Sequence, residues 1–95
     1  MKLSILITLL NEELVLSQTH KAISEQLDSM LVSEELSDYE ILYIDDGSRD
    51  KTLELIDAIS QENHRVKYIS FSRNFGRESG ILAGFKYATG DAVMV

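Results

Sequence analysis

The chain has 95 residues, of which 44% are hydrophobic and 26% are charged. This length suits one domain or part of one, and the composition is that of a folded protein rather than a disordered one. The formal net charge is −7, which argues against nucleic acid as a partner because phosphate backbones are bound by clustered Lys and Arg. The chain contains no cysteine, which excludes disulfides, zinc–thiolate sites and thiol nucleophiles.

The first apolar run, residues 3–10, is the candidate for a targeting or membrane segment. It is about half as long as a bilayer-spanning helix, and Asn11, Glu12 and Glu13 follow it without a small-residue cleavage pattern. We interpret the run as a buried strand rather than a truncated signal peptide. We expect no part of residues 1–95 to cross a membrane.

Four short apolar runs alternate with three segments of helical periodicity. The runs are rich in Ile, Leu, Val and Tyr and mostly lack a polar face, as strands buried on both faces do. The predicted strands are residues 3–10, 40–45, 66–71 and 91–95. The alternation predicts an α/β fold with a parallel sheet of about four strands and helices on both faces, similar to one half of a Rossmann-like domain.

Each helical segment has an apolar stripe that we expect to pack on the sheet. The stripes are Leu16, Ile23, Leu27, Met30 and Leu31 in the first segment, Leu55, Ile56 and Ile59 in the second, and Ile81, Leu82, Phe85 and Ala88 in the third. Gly90 follows the third stripe as a predicted C-cap. Gly76, Gly80 and Gly84 recur at every fourth position, which we interpret as close helix packing against the sheet rather than a membrane dimer motif.

Polar clusters follow the first three predicted strands. In open parallel sheets ligands bind beyond the carboxyl ends of the strands, so these clusters are the candidate functional residues. The clusters are Asn11-Glu12-Glu13, Asp45-Asp46-Gly47-Ser48 and residues 72–77, SRNFGR.

The first two clusters each have a structural and a functional interpretation. Asn11 can cap a helix whose first turn contains the two glutamates, or this segment can line a nucleotide pocket. In the second cluster Gly47 can form a turn at positive φ, with Ser48 or Asp50 capping the next helix. The two adjacent aspartates repel each other unless something uses them. A carboxylate there could accept a base N–H or ribose hydroxyls, or could hold a divalent cation.

The third cluster places Arg73 and Arg77 around a loop glycine just before a helix. This arrangement can bind an anion such as a diphosphate, or it can be a solvated loop whose arginines pair with surface acids. His20 and His64 have no partner spacing typical of a metal site or a catalytic triad, and we expect both on the surface. Dinucleotide fingerprints and P-loop motifs are absent from the sequence.

Together these motifs resemble the N-terminal part of family 2 glycosyltransferases with the GT-A fold. The resemblance rests on a first strand ending in Asn-Glu-Glu, a second ending in Asp-Asp-Gly-Ser-x-Asp-x-Thr, and SRNFGRESGILAGFKYATGD after the third. It covers essentially the whole chain. It is greatest for the polyprenyl-phosphate branch, which includes dolichol-phosphate mannose synthases and bactoprenol-phosphate glucosyltransferases. The chain departs from the family pattern at Thr8 and Leu10, where proline and an aromatic are usual.

The resemblance implies a role for five residues of this sequence. Glu12, Asp45 and Asp46 would line the nucleoside pocket, with the acidic pair contacting the base. Arg73 and Arg77 would lie near the diphosphate or the acceptor phosphate. Residues 1–95 would then be the N-terminal nucleotide-binding part of a GT-A domain.

The resemblance also implies where the metal site lies. In the family, Gly-Asp opens a strand that ends in Asp-x-Asp, and this motif holds Mg²⁺ or Mn²⁺ on the nucleotide diphosphate. Gly90 and Asp91 match that opening, so Asp91 starts the strand and is not the ligand. We expect no catalytic residue and no metal ligand within residues 1–95, with the Asp-x-Asp motif just after Val95.

The implied reaction is inverting transfer of a sugar from a nucleotide-diphospho-sugar, for which we predict UDP, to a polyprenyl (undecaprenyl or dolichyl) phosphate. Such a step belongs to cell-wall or glycolipid biosynthesis. We expect the protein to work at the cytoplasmic face of the membrane, with membrane association through parts outside residues 1–95.

Three alternatives stay open at this point. The first is a family 2 transferase with a saccharide acceptor, which would need a carboxylate base downstream. The second is an inactive fragment that binds nucleotide weakly or not at all. The third is a receiver-like signalling module, which the sequence disfavours because its double Asp follows the second strand rather than the first.

Overall fold

Strands and helices alternate along the whole chain in the computed structural model, which describes residues 1–95. The elements are β1 (Lys2–Leu9), α1 (Leu16–Val32), β2 (Asp38–Asp45), α2 (Thr52–Glu62), β3 (Val66–Ser70), α3 (Arg77–Tyr87) and β4 (Ala92–Met94). The predicted α/β alternation is confirmed, and the strand bounds shift by no more than two residues.

The four strands form one parallel sheet in the order β3-β2-β1-β4. In its register, Ile5 of β1 lies opposite Ile41 of β2 on one side and opposite Met94 of β4 on the other. The chain therefore adds strands in one direction from β1 to β3 and then returns to the far side of β1. The predicted parallel sheet is confirmed.

The central strands are buried, whereas the edge strands are not. In β2 every residue from Tyr39 to Asp45 is buried, but β3 exposes Lys67, Tyr68 and Ser70, and β4 contains no fully buried residue. The prediction that all four runs are buried on both faces is wrong for β3 and β4, because each occupies an edge of the sheet.

Helices cover both faces of the sheet. On one face α1 and α2 bury Leu16, Leu27 and Ile56 in a core that also contains Tyr39 and Tyr43. The remaining stripe residues of these two helices pack around this core; they are Ile23, Met30, Leu31, Leu55 and Ile59. The predicted stripes of the first two helices are confirmed. A smaller core of Leu6, Leu42 and Ile44 lies on the other face, beneath α3.

The buried face of α3 consists of glycines. Gly80 and Gly84 are buried, and a Cβ on them would lie 3.0 Å from Thr8 Cγ2 and 2.9 Å from Leu6 Cδ1, respectively. The close packing predicted from the glycine repeat is confirmed at these two positions.

The predicted apolar stripe of α3 is wrong in its most prominent members. Leu82 is 71% exposed and Phe85 is 50% exposed. The helix turns its glycine face to β1 and β2 because the missing side chains let its backbone approach the sheet closely. The larger apolar residues consequently point away from the sheet.

A buried polar junction holds the connection between α3 and β4 at the amino ends of the strands. The Glu40 carboxylate is 2% exposed and accepts hydrogen bonds from Ser4 Oγ (2.6 Å), Lys67 Nζ (3.0 Å), Thr89 N–H (2.7 Å) and Thr89 Oγ1 (3.0 Å). Gly90 donates its N–H to Ser4 Oγ at 2.8 Å. Each acceptor oxygen of the buried carboxylate is thereby satisfied.

The same junction corrects the predicted end of the third helix. The helix ends at Tyr87 with Ala88 as its C-cap, so the prediction that Gly90 is the C-cap is wrong. A Cβ on Gly90 would lie 2.6 Å from Ser4 Oγ and 2.8 Å from Ser4 N. Glycine is needed at this position because the chain passes directly against β1.

His20 is half-buried rather than exposed, contrary to the prediction, whereas His64 is exposed. The Nδ1 atom of His20 lies 2.8 Å from the hydroxyl of Tyr43, which is itself fully buried. Burial lowers the pKa of His20 and raises the pKa of Tyr43 to about 12. The neutral imidazole can accept a hydrogen bond from the tyrosine hydroxyl, so this pair joins α1 to β2.

The packing of α3 makes a prediction that contrasts two neighbouring positions. Leu82→Ala should change the free energy of unfolding by less than about 0.5 kcal/mol, since the side chain is exposed. Gly84→Val should cost about 1–3 kcal/mol because its side chain would overlap Leu6 and Ile44. Denaturant unfolding of both variants measures the difference. A loss for Leu82→Ala of the size expected for a core leucine would contradict the observed helix face.

The Glu40 junction makes a second prediction, about acid stability. Burial alone would raise the pKa of Glu40, but the hydrogen bonds from Ser4, Thr89 and Lys67 outweigh it and lower the pKa to about 2. The unfolded chain therefore binds a proton more readily than the folded protein. The stability that this carboxylate contributes should be complete above its ordinary pKa of 4.5 and should be lost as the pH falls toward 2.

Denaturant unfolding of Glu40→Gln as a function of pH tests this expectation. At pH 7 the variant should lose about 1–3 kcal/mol, because a buried hydrogen-bonded charge is replaced by an amide. The gap to the original protein should narrow in acid. Glu25→Gln, at an exposed position of α1, serves as the control with no such gap. An equal gap at every pH would contradict the assignment.

Candidate functional site

Three loops follow the carboxyl ends of neighbouring strands and meet beyond that end of the sheet. They are residues 10–15 after β1, 46–51 after β2 and 71–76 after β3. The strand order changes direction between β1 and β4, which is the kind of topological switch at which parallel sheets bind ligands. The polar clusters lie beyond the strand ends, as the sequence predicted.

Asn11 connects the loop after β1 to the turn after β2. Its backbone is left-handed, with φ of 54°. Its N–H donates to Ser48 Oγ at 2.9 Å, and its Oδ1 accepts the N–H of Arg49 at 2.9 Å. The interpretation of Asn11 as a helix cap is wrong, because its carboxamide bonds across to another loop and α1 begins only at Leu16.

Glu12 and Glu13 precede α1 and do not occupy its first turn, which contains no acidic residue. The Glu12 N–H donates to Thr52 Oγ1 at 2.9 Å, and the Glu13 N–H donates to Asp50 Oδ2 at 3.2 Å. The predicted first-turn position is therefore wrong. These backbone bonds hold the loop against the start of α2 and leave the exposed side chain of Glu12 beside a crevice.

Asp45 is the last residue of β2 and is almost completely buried, with 1% of its surface exposed. Its Oδ1 accepts the N–H of Ser48 at 3.3 Å, so the side chain closes the turn that follows it. Gly47 has φ of 79°, which confirms its predicted positive φ. The carboxylate of Asp45 is therefore used within the turn and is not free to contact a ligand.

The N-cap of α2 is Lys51, so the prediction that Ser48 or Asp50 occupies the cap is wrong, but the Asp50 side chain bonds to the first residue of the helix. Its Oδ1 accepts the N–H of Thr52 at 2.9 Å, and it also accepts bonds from the Thr52 hydroxyl and the Glu13 N–H. Burial works to raise the pKa of Asp50, but these hydrogen bonds outweigh it and lower the pKa below its ordinary value. The carboxylate therefore remains ionised at neutral pH.

Asp46 links the turn after β2 to the loop that leads into α3. Its Oδ1 accepts the N–H of Phe75 at 2.8 Å and its Oδ2 accepts the N–H of Gly76 at 3.0 Å. Hydrogen bonds to an ionised carboxylate are about twice as strong as neutral ones. Asp45 and Asp46 thus have separate backbone donors, and their proximity does not by itself require a ligand.

The turn after β2 also packs directly on the loop after β3. A Cβ on Gly47 would lie 2.4 Å from the carbonyl carbon of Arg73 and 2.5 Å from the backbone nitrogen of Asn74. No side chain fits between the two backbones. The three loops therefore form one connected layer in which each is bonded or packed against the turn after β2.

Two crevices open in this layer. The first, which we name the β1–α3 crevice, has a volume of about 310 Å³ and lies between the loop after β1 and the start of α3. Its polar lining residues are Thr8, Glu12, Asp46, Asn74 and Arg77. It therefore combines two carboxylates with one guanidinium group at a helix N-terminus.

The second, the β2–β3 crevice, has a volume of about 340 Å³. Its polar lining residues are Asn11, Ser48, Arg49, Ser72, Arg73 and Asn74. The guanidinium group of Arg73 lies 4.7 Å from the centroid of the Phe75 ring. This crevice has arginine side chains and no carboxylate among its lining residues.

The five predicted nucleotide-binding residues are thus divided. Glu12, Asp46 and Arg77 line the β1–α3 crevice, Arg73 lines the β2–β3 crevice, and Asp45 lines neither. The alternative in which the arginines pair with surface acids is not realised, since the ion pairs of the structure are those of Arg65 with Asp38 and Lys67 with Glu40.

Residues 1–95 contain no group of three or more His, Asp or Glu side chains arranged to hold a metal ion. Asp91 lies at the opposite end of the sheet from the crevices, where its Oδ2 accepts the N–H of Lys2 at 2.8 Å. None of the three helices combines the length and apolar character needed to span a bilayer.

Sequence reasoning missed two residues that organise the loops. Thr52 is fully buried and holds the Glu12 N–H, although the sequence marks it only as the last position of the Asp-Gly-Ser-x-Asp-x-Thr pattern. Asn74 lines both crevices. Its position within SRNFGR was the only signal available.

Comparisons of sequence identify relatives over nearly the whole chain. The sequence profile described as Glycosyl transferase family 2 matches residues 4–95. The putative glycosyltransferase CsbB of Bacillus subtilis is 43% identical over 93 residues, which cover 98% of this chain and 27% of CsbB. The bactoprenol glucosyl transferase of Shigella phage SfX is 38% identical over 96 residues, covering 99% of this chain and 29% of that protein.

A comparison of structures supports the same fold. The mannosyltransferase PcManGT from Pyrobaculum calidifontis, solved in complex with GDP-Man and Mn²⁺, superposes with a TM-score of 0.77 at 17% identity. The match covers 96% of this chain and 25% of PcManGT. The chain therefore spans less than a third of each of these proteins and has the Rossmann-like GT-A architecture. By its match to the family profile, it belongs to glycosyltransferase family 2.

Proposed function

We propose that the protein containing this chain transfers a sugar from a nucleotide-diphospho-sugar to a polyprenyl phosphate. The observation that supports this most is the β1–α3 crevice, which places Glu12 and Asp46 together with Arg77 at the start of α3. A nucleoside diphosphate has both hydrogen-bond donors on its base and ribose and an anionic diphosphate. The crevice offers acceptors for the first and a cation for the second.

Arg77 and the helix that it begins supply the anion-binding half of this proposal. Arg77 is the first residue of α3, and Gly76 is the N-cap. A helix N-terminus favours negative charge, and a guanidinium group can bind phosphate oxygens in a bidentate manner. As the sugar leaves, charge develops on the departing diphosphate, and a fixed cation beside it lowers the barrier.

Asp46 and Glu12 supply the nucleoside half. The two oxygens of Asp46 each accept one backbone N–H, but an ionised carboxylate has about four lone-pair sites and can accept further donors. Its bonds to the loop hold it rigidly, so it can accept a base N–H without losing conformational freedom on binding. The exposed carboxylate of Glu12 is placed to accept ribose hydroxyls.

The relatives support the donor class and the acceptor. PcManGT was solved with GDP-Man and Mn²⁺, and the phage relative is named a bactoprenol glucosyl transferase. We propose a UDP-sugar as donor and an undecaprenyl-type phosphate as acceptor. The acceptor oxygen is already anionic, so the step needs positioning more than a general base. We propose that the protein works at the cytoplasmic face of the membrane.

A divalent metal, Mg²⁺ or Mn²⁺, is part of this proposal, although residues 1–95 offer no cluster to hold it. Bound elsewhere in the protein, such an ion would neutralise the leaving diphosphate. Within residues 1–95, the proposed contacts to the nucleotide are those of Glu12, Asp46 and Arg77.

A binding experiment separates the two halves of the crevice. We expect Arg77→Gln to weaken the binding of UDP at least about tenfold while changing uridine affinity less than about twofold, since uridine has no diphosphate. Asp46→Asn should weaken uridine as well as UDP, each by at least about tenfold, because the lost contact is to the nucleoside. UDP should lose at least as much as uridine, since the loop that leads to Arg77 also loses one acceptor oxygen. Calorimetric titration of the full gene product with each ligand measures these ratios.

Asp45→Asn is the matched control for the aspartate variant. Its carboxylate closes the turn and lines neither crevice, so any loss of affinity should be smaller than for Asp46→Asn at equal thermal stability. Equal losses of UDP and uridine affinity in Arg77→Gln would contradict its placement at the diphosphate.

A transfer assay tests the reaction itself. The full gene product, with UDP-glucose, undecaprenyl phosphate and Mg²⁺ or Mn²⁺, should form a lipid-linked sugar, and EDTA should abolish the product. The same donor should give no product with a soluble oligosaccharide acceptor. Transfer to the oligosaccharide alone would overturn the polyprenyl-phosphate proposal in favour of a saccharide acceptor.

A further inference from the structure

Asn11 differs from the other residues near the crevices in two ways. Its backbone is left-handed, and it both donates and accepts hydrogen bonds across two loops. Its φ of 54° is in the left-handed region, which among residues other than glycine it shares only with Glu34. Asn tolerates this conformation better than most residues. Strained backbone persists where the surrounding structure enforces it, and such positions cluster at functional sites.

The hydrogen bonds of Asn11 run in both directions between the same two loops. Its N–H donates to Ser48 Oγ, and its side-chain Oδ1 accepts the N–H of Arg49, each at 2.9 Å. The two bonds fix both the backbone and the side chain of Asn11. The two bonds therefore couple the conformation of the loop after β1 to that of the turn after β2.

Asn11 also begins a series of three anchored backbone groups. The next two N–H groups, of Glu12 and Glu13, donate to side-chain oxygens of Thr52 and Asp50. The left-handed residue directs the chain so that all three N–H groups face the turn after β2 and the start of α2. The Glu12 side chain projects as a result into the β1–α3 crevice.

We propose that Asn11 is a positioning residue for the nucleotide site, acting through Glu12. Asn11 itself is not among the residues that line the β1–α3 crevice. It sets the loop conformation that places the Glu12 carboxylate there. This inference rests on the proposed function, since it assigns Asn11 a part in nucleotide binding at the same crevice.

Three substitutions separate the two properties of Asn11. Asn11→Asp keeps the Oδ1 acceptor and tolerates the left-handed backbone. Asn11→Gly keeps the backbone conformation and loses the acceptor. Asn11→Ala loses both. We expect UDP affinity of the full gene product to stay within about threefold for Asn11→Asp, to fall about fivefold for Asn11→Gly and to fall at least about tenfold for Asn11→Ala.

Glu34→Gly is the matched control for Asn11→Gly. Glu34 has φ of 64° and lies just after α1, outside both crevices. Glycine accommodates a left-handed backbone at either position, but Glu34→Gly should leave UDP affinity unchanged. A purely structural role for Asn11 would give that same result in Asn11→Gly, a changed thermal midpoint with unchanged affinity.

A double-mutant cycle tests whether Asn11 acts through Glu12. If it does, Asn11→Gly should weaken UDP binding about fivefold in the original protein but less than about twofold in a Glu12→Gln background, because coupled residues are not additive. Independent, multiplicative losses would overturn the proposed route. Unchanged UDP affinity in all Asn11 variants would overturn the inference about Asn11 and leave the proposed function standing. If the wild-type protein bound neither UDP nor GDP, both the inference and the proposed function would be overturned.

Discussion

The arrangement of the loops at the carboxyl ends of the strands depends on the hydrogen bonds that the Asp46 carboxylate accepts. This carboxylate stands at the end of a central strand and accepts the N–H groups of Phe75 and Gly76, which lie just before α3. Through these two bonds the turn after β2 determines where α3 begins, and with it where Arg77 stands. The close approach of Gly47 to Arg73 and Asn74 leaves no room for a side chain between the same two loops.

Among the acidic residues of these loops, Asp46 combines a structural role with the capacity to bind a ligand. Asp45 accepts the N–H of Ser48, and Asp50 accepts those of Thr52 and Glu13. Glu12 and Asp46 line a crevice, and of these two only the Asp46 carboxylate also accepts backbone N–H groups. Because those bonds already fix it, Asp46 loses little conformational entropy when a ligand binds, which favours affinity.

The alternation of strands and helices could be predicted from the sequence because the central strands and the first two helices bury large apolar side chains. The face of α3 could not, since the buried Gly80 and Gly84 give no hydrophobic signal while the exposed Leu82 and Phe85 give a strong one. The division of the predicted site into two crevices depends on hydrogen bonds such as that from Phe75 to Asp46. Those bonds follow from strand order and loop conformation, which local sequence patterns do not encode.

The most direct test of this account is the NMR titration of the ¹⁵N-labelled protein with UDP. We expect the largest shifts at the backbone N–H groups of Phe75, Gly76 and Arg77, because these lie where Asp46 meets the start of α3. The N–H groups of Thr89 and Gly90, held by the Glu40 junction at the opposite end of the sheet, should stay unchanged. Shifts confined to Thr89 and Gly90 would contradict the placement of the nucleotide site.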